Sequence, residues 1–280
     1  MGSGGMGGHD ILPGRMNFVP ATALALALFA PAWAQLAPPN EAGMSMGHIH
    51  LNVSDVEAQT RFWVSQFDAK PLRREGLQGV KVSGMLILFN PVAPNHSSDQ
   101  TVLDHFGFKV RSRDEMVASC KAGGYTISKL FKGSEGFPNA YVIGPDGVNV
   151  ELQEDTLLKV RAVAQHLHFL LPEYLPLRAW YTDTFSMQPT HRGTHDSADI
   201  PGMNLTFAPS HARTLGTTGG IIDHIGFEVV NLEAYCKKLE AAGVKFDEPY
   251  KKVPALGIAR AFLTDPHGVL IELTEGLGAY

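Results

Sequence analysis

At 280 residues the chain can build one large domain or two ordinary ones. Hydrophobic residues at 44% and charged residues at 18% describe a globular composition, and a net charge of −5 without any basic run excludes nucleic acid as an expected partner. Cys120 and Cys236 are too few for a disulfide scaffold and fall in helical patterns in separate halves, so they read as buried free thiols.

In chain order, residues 1–34 read as leader and signal peptide. Arg15 supplies the only positive charge, Met16 is a candidate initiator, and Pro20 and Pro31 bracket an apolar Ala21–Ala30 stretch too short to span a bilayer comfortably. Small residues at Ala32 and Ala34 fit cleavage after Ala34, which predicts a periplasmic or secreted protein with no stable membrane insertion. Residues 35–44, rich in Pro and Ala, read as a linker.

A first module is expected over 45–155. Strand 48–53 puts His48 and His50 on one face, and Ser54 or Asp55 caps an amphipathic helix ending near Phe67. Strand material at 80–89 and a Pro-bearing loop at 90–100 follow. The cycle then restarts with strand 105–110, helix 112–122, strands near 127–131 and 140–143, a Gly-Pro-Asp-Gly turn at 144–147 and strand 148–153. A connector at 156–163 leads to a second module over 164–277 with the same order: strand 166–171, helix 174–185, strand 203–207, loop 208–220, strand 224–229, helix 232–242, strands 259–263 and 269–274. Each module is therefore two βαβββ units.

The modules also repeat in chemistry. His48, His105 and Glu151 are spaced like His166, His224 and Glu272, and the words around them match: Leu-Asp-His-Phe-Gly-Phe at 103–108 answers Ile-Asp-His-Ile-Gly-Phe at 222–227, and Val-Glu-Leu at 150–152 answers Ile-Glu-Leu at 271–273. Two imidazoles and one carboxylate form an open divalent-metal site of the kind typical of non-haem iron. These six residues are the expected metal ligands, one set per module. His50 and His168, two residues beyond a ligand on the same strand, face the same cavity and suit proton transfer near neutral pH. His96 and His211 sit in equivalent loops, and His191, His195 and Asp196 lend polar character to a loop of the second module.

This pattern resembles the vicinal oxygen chelate superfamily, which includes glyoxalase I, type I extradiol dioxygenases, and fosfomycin- and bleomycin-resistance proteins. The resemblance covers roughly residues 45–277, with aromatic pairs Phe62-Trp63 and Trp180-Tyr181 at matching distances from His48 and His166. It implies an α+β fold of tandem βαβββ modules forming two incomplete barrels, each with a metal inside. It also matches Tyr141-x-x-x-Pro145-x-Gly147-x-x-x-Glu151 to the tyrosine–glutamate run of extradiol enzymes, with Phe262 in the corresponding place of the second module. Neither 86–89 nor 203–207 supplies the further carboxylate or glutamine donor usual in glyoxalases.

The reading is an exported, divalent-metal-dependent enzyme, monomer or homodimer, with Fe(II) favoured and Mn, Zn or Ni as alternatives. Its expected chemistry is dioxygenase-like, of extradiol type, on a small substrate with adjacent oxygens, with His50, His168 and Tyr141 as catalytic candidates. A glyoxalase-like lyase or isomerase is the runner-up, and a non-catalytic small-molecule-binding protein of the resistance type is the third reading.

Overall fold

A computed structural model describes residues 1–5, 36–74, 76–213 and 215–280 of the chain. Most of the predicted signal segment, including Ala34, thus lies outside the described residues. Among the described residues no helix is long and apolar enough to cross a membrane.

Four βαβββ units follow one another. The first is β1 (Met44–Asn52), α1 (Val56–Phe67), β2 (Lys70–Arg74), β3 (Leu77–Val82) and β4 (Met85–Asn90). The second is β5 (Leu103–Val110), α2 (Arg113–Ala122), β6 (Thr126–Lys132), β7 (Pro138–Ile143) and β8 (Asn149–Glu154). The third is β9 (Ala162–Leu170), α3 (Tyr174–Phe185), β10 (Gln188–Arg192), β11 (His195–Ile200) and β12 (Met203–Ala208). The fourth is β13 (Ile222–Val229), α4 (Leu232–Ala241), β14 (Glu248–Val253), β15 (Ile258–Thr264) and β16 (Leu270–Glu275). The fold is α+β, as the repeat predicts.

Local chemistry accounts for the helix starts. The Asp55 carboxylate accepts from the Ala58 amide at 2.9 Å, and Ser112 and Asn231 cap α2 and α4 in the same way. His191, His195 and Asp196, expected in a loop, lie instead on the antiparallel pair β10–β11. That pair, like β2 and β14, is short, polar and Pro-bearing, which hides the strand alternation.

The sheets assemble differently from the modules. One eight-stranded sheet runs β14-β15-β16-β13-β1-β4-β3-β2 and the other β10-β11-β12-β9-β5-β8-β7-β6. The first unit therefore shares a sheet with the fourth through β1–β13, and the second with the third through β5–β9. Neither 45–155 nor 164–277 forms a sheet of its own. The helix-side core follows the modules more closely. Trp63 of α1 packs against Phe106 and Phe108 of β5, and the Tyr181 hydroxyl of α3 donates to Asp265 at 3.0 Å while Phe185 meets Phe227. Cys120 and Cys236 are free and buried, with burial pushing each thiol up to about 11.

Candidate metal centres

Side chains alternate between the faces of a strand, and residues paired across strands share a face. His48 and His50 therefore point to the same side of β1, the side opposite the helices. In register, His50 lies beside His224, and His48 beside Gly226, which in turn lies beside Glu272. With no side chain at Gly226, the His48 imidazole passes over it and reaches Glu272 Oε2 at 2.9 Å. A Cβ at Gly226 would sit 1.9 Å from His48 Cε1. The other sheet repeats this arrangement: His166, Gly107 and Glu151 form one row, His168 lies beside His105, and a Cβ at Gly107 would sit 2.2 Å from His166 Cε1. The glycine in each repeated His-x-Gly-Phe word is thus the space through which the His48 or His166 imidazole crosses.

Two clusters result. His48, His50, His224 and Glu272 form the first centre; His105, Glu151, His166 and His168 form the second, with ligand atoms in each group within 4.8 Å of one another. All six candidate ligands fall in these clusters, grouped by sheet rather than by module: the first cluster takes His48 from one module and His224 with Glu272 from the other. His50 and His168 also stand among the donors, His50 Nδ1 3.2 Å from His224 Nε2 and His168 Nδ1 3.3 Å from His105 Nε2. Each centre thus offers up to four donors rather than three.

The residues fit a divalent cation. His105 Nδ1 contacts Asp104 and His224 Nδ1 contacts Asp223 at 2.8 Å, which places a ring proton on Nδ1 and turns the Nε2 lone pair inward. Those Nε2 atoms face Glu151 Oε2 at 2.9 Å and Glu272 Oε2 at 3.2 Å. Lone pair against lone pair at that distance requires a second ring proton or a shared cation. Buried ring nitrogens without a hydrogen-bond partner (His48 Nδ1, His166 Nε2 and His168 Nε2) add unspent donor capacity.

Electrostatics agree. Burial opposes charge on Glu151 and Glu272, yet His166 and His105 hold Glu151 well below the usual carboxylate range, and His224 and His48 do the same for Glu272. Burial and neighbouring imidazoles bring His50 down to about 3, burial and Arg192 bring His166 to about 4, and burial with His105 and His166 pushes His168 well below its ordinary value. These rings stay neutral, the form that binds metal. For His105 and His224 burial favours the neutral ring, but the aspartate and glutamate partners outweigh it and raise both.

The centres differ in their surroundings. At the second, the Tyr141 hydroxyl donates to Glu151 Oε2 at 3.2 Å and lies 3.5 Å from His105 Nε2, while Asn139 donates to Glu151 Oε1 at 2.6 Å. At the first, Phe262 occupies the place of Tyr141, beside Glu272. Leu86 and Leu88 flank His48 and His50 where Asn204 and Thr206 flank His166 and His168. Leu72, Leu77, Leu86 and Leu88 form an apolar cluster with Leu277, against which Leu256 and Tyr280 pack.

Other candidates fall elsewhere. His96 contacts the Gly216 carbonyl at 3.1 Å, His211 is exposed, and His191 pairs with Asp196, while the His195 ring lies tilted 5.5 Å from that of His168. Asp104, Asp223, Asn139 and Arg192 were missed as site residues. For the two aspartates the signal lay in the sequence: each immediately precedes a ligand in the repeated Asp-His word.

The chain thus combines four βαβββ units with two buried His/Glu clusters that could hold a metal ion. Residues 172–273 match the family model of the Glyoxalase/Bleomycin resistance protein/Dioxygenase superfamily. That superfamily comprises the vicinal oxygen chelate proteins, and solved structures share the fold over most of the chain. Glyoxalase I from Zea mays is similar with a TM-score of 0.68 at 14% identity, over 84% of this chain and 94% of that one. A putative dioxygenase from Bacillus subtilis gives 0.62 at 12% identity, over 86% of each chain. The cppA protein from Streptococcus pneumoniae gives 0.50 at 12% identity, over 81% of this chain and 96% of that one. No curated protein matches the chain in sequence.

Proposed function

We propose that the protein is an exported, divalent-metal-dependent enzyme whose working centre is the second one, acting in dioxygenase fashion on a small substrate with adjacent oxygens. Export rests on the apolar stretch and Ala32/Ala34 of the leader alone. The observation that carries the enzymatic reading is the Tyr141 hydroxyl, 3.2 Å from Glu151 Oε2 and 3.5 Å from His105 Nε2, beside a His168 ring whose Nε2 has no partner. His105, Glu151 and His166 hold the cation, with Fe(II) favoured by a two-imidazole, one-carboxylate set. When bound, the cation supplies Lewis-acid stabilisation of negative charge on the chelating oxygens. Tyr141, held protonated by burial and by Glu151, turns its single hydroxyl proton from Glu151 Oε2 to a substrate oxygen. His168, kept neutral by burial, presents its unpartnered Nε2 as a hydrogen-bond group for the substrate. Asp104 holds His105 in the tautomer that presents Nε2, and Asn139 fixes the second oxygen of Glu151.

A redox-neutral isomerase or lyase of glyoxalase type is the second reading. The position of His50 and His168 among the donors favours it, because four protein ligands make a fuller shell than an oxygen-using centre needs. Elemental analysis and oxygen-electrode assays separate the two. The dioxygenase reading expects oxygen uptake only with ferrous iron, with a catechol panel as substrate, abolished by Glu151→Ala and retained in Glu272→Ala. Turnover under nitrogen with zinc, nickel or manganese would establish the second reading instead.

A further inference from the structure

The face around the second centre holds a buried cation. Arg192, only 8% exposed, ends β10 and brings its guanidinium over the sheet. Its Nε donates to Thr206 Oγ1 at 3.0 Å, and Nη1 donates to Gln153 Oε1 at 2.9 Å and Glu135 Oε2 at 3.1 Å. Nη2 makes no hydrogen bond among the described residues and lies 4.0 Å from Glu151 Oε1, next to the donor set. Glu135 is of a different character: it comes from the turn between β6 and β7, beside Gly136 at φ +87, and its side chain is 25% exposed. A buried guanidinium is thus closed by a partly exposed carboxylate from a turn, while its Nη2 lies beside Glu151.

Charge points the same way. Glu151, Glu135 and Arg192 sum to one negative charge, the neutral imidazoles add none, and a divalent cation leaves the pocket with one net positive charge. Asp104 does not alter this, since Arg213 pairs with it at 2.7 Å. At the first centre Arg74, the residue at the place of Arg192, instead lies over the Tyr280 ring at 4.5 Å.

We propose that the substrate of the second centre carries a carboxylate beside its chelating oxygens, and that this group binds Arg192 in place of Glu135. The proposal rests on the metal-enzyme reading above. A planar guanidinium presents paired donors that match a carboxylate, and such charge-assisted bonds change affinity by about tenfold or more.

The test compares 2,3-dihydroxybenzoate with catechol, which share the diol and differ by the carboxylate, as titrants of the zinc-loaded full chain, with zinc content measured in every sample. The expected result is that 2,3-dihydroxybenzoate binds about tenfold or more tighter than catechol. Glu135→Gln should widen that preference, and Arg192→Met should abolish it, the comparison being the ratio of the two affinities within each variant. An equal preference in wild type and Arg192→Met, or a narrower one in Glu135→Gln, overturns the proposal while the metal reading stands. Should Arg192→Met fail to fold, the surface variant Glu135→Gln decides. Should the chain hold no zinc, the metal reading fails, and benzoate binding to metal-free protein decides the carboxylate site: Arg192-dependent stabilisation supports it, and none overturns it.

Discussion

At the scale of single residues, each His/Glu cluster is held by groups that stand behind it. Asp223 accepts from His224 at 2.8 Å, and is itself held by the Gly219 amide at 2.7 Å and Asn52 at 2.9 Å. Although burial disfavours its charge, these bonds bring the Asp223 carboxyl down to about 2. Outer partners of this kind fix the ring tautomer and raise ligand basicity. Asp223→Asn and Asp104→Asn should each weaken metal binding at their own centre by about 10- to 100-fold. Competition against a chelator checks this, and unchanged affinity in both variants would remove the orienting role. Acidity gives a second expectation. The raised His105 and His224 hold their protons in metal-free protein, so the stability they lend is complete below the ordinary histidine value near 6.5 and fades as pH rises through their raised values. Metal must displace those protons. Zinc uptake at pH 7 should therefore release protons, and apparent affinity should rise with pH. Calorimetry in two buffers of different ionisation enthalpy measures the release; uptake without protons would show that both rings are already neutral.

At the scale of elements, the strand register builds each centre, and two glycines make the register usable. Because an added methyl at Gly107 or Gly226 would overlap a ligand imidazole, Gly107→Ala should expel His166, and Gly226→Ala should expel His48. Overpacking of this kind costs about 1–3 kcal/mol, and the displaced ring also forfeits the metal. Each variant should lose about one equivalent of metal and melt lower, as elemental analysis and calorimetry would show; two full equivalents in Gly226→Ala would mean that His48 is not a ligand. The donors themselves were legible because a period of two puts His48 with His50 and because the spacing is duplicated. Their grouping was not, since which strand lies beside β1 depends on a partner more than 170 residues away that no local pattern encodes. Edge strands such as Lys-Pro-Leu-Arg-Arg at 70–74 and Glu-Pro-Tyr-Lys-Lys-Val at 248–253 escaped for another reason: half-exposed edges carry Pro and charge that suppress the apolar alternation.

At the scale of the whole molecule, two organisations interlock. Helix-side packing joins the first unit to the second and the third to the fourth, while the sheets join the first to the fourth and the second to the third. Each half of the chain therefore holds two incomplete donor sets: His48, His50, His105 and Glu151 in one, His166, His168, His224 and Glu272 in the other. Separating the halves at the 156–163 connector would open β1 and β5 in one piece and β9 and β13 in the other, each a long edge built for a partner. Because β5 is the repeat counterpart of β13, the first half can satisfy both edges by pairing β1 of one copy with β5 of another, an isologous dimer. Residues 36–160 alone should therefore be dimeric or aggregate. Produced together with 161–280, they should co-purify as a pair that regains two cations. Light scattering and elemental analysis of the separate and joint preparations test this. A monomeric first half retaining one tightly bound cation would mean that His48, His105 and Glu151 meet within a single module, and that the seams at β1–β13 and β5–β9 are not what brings the ligands together.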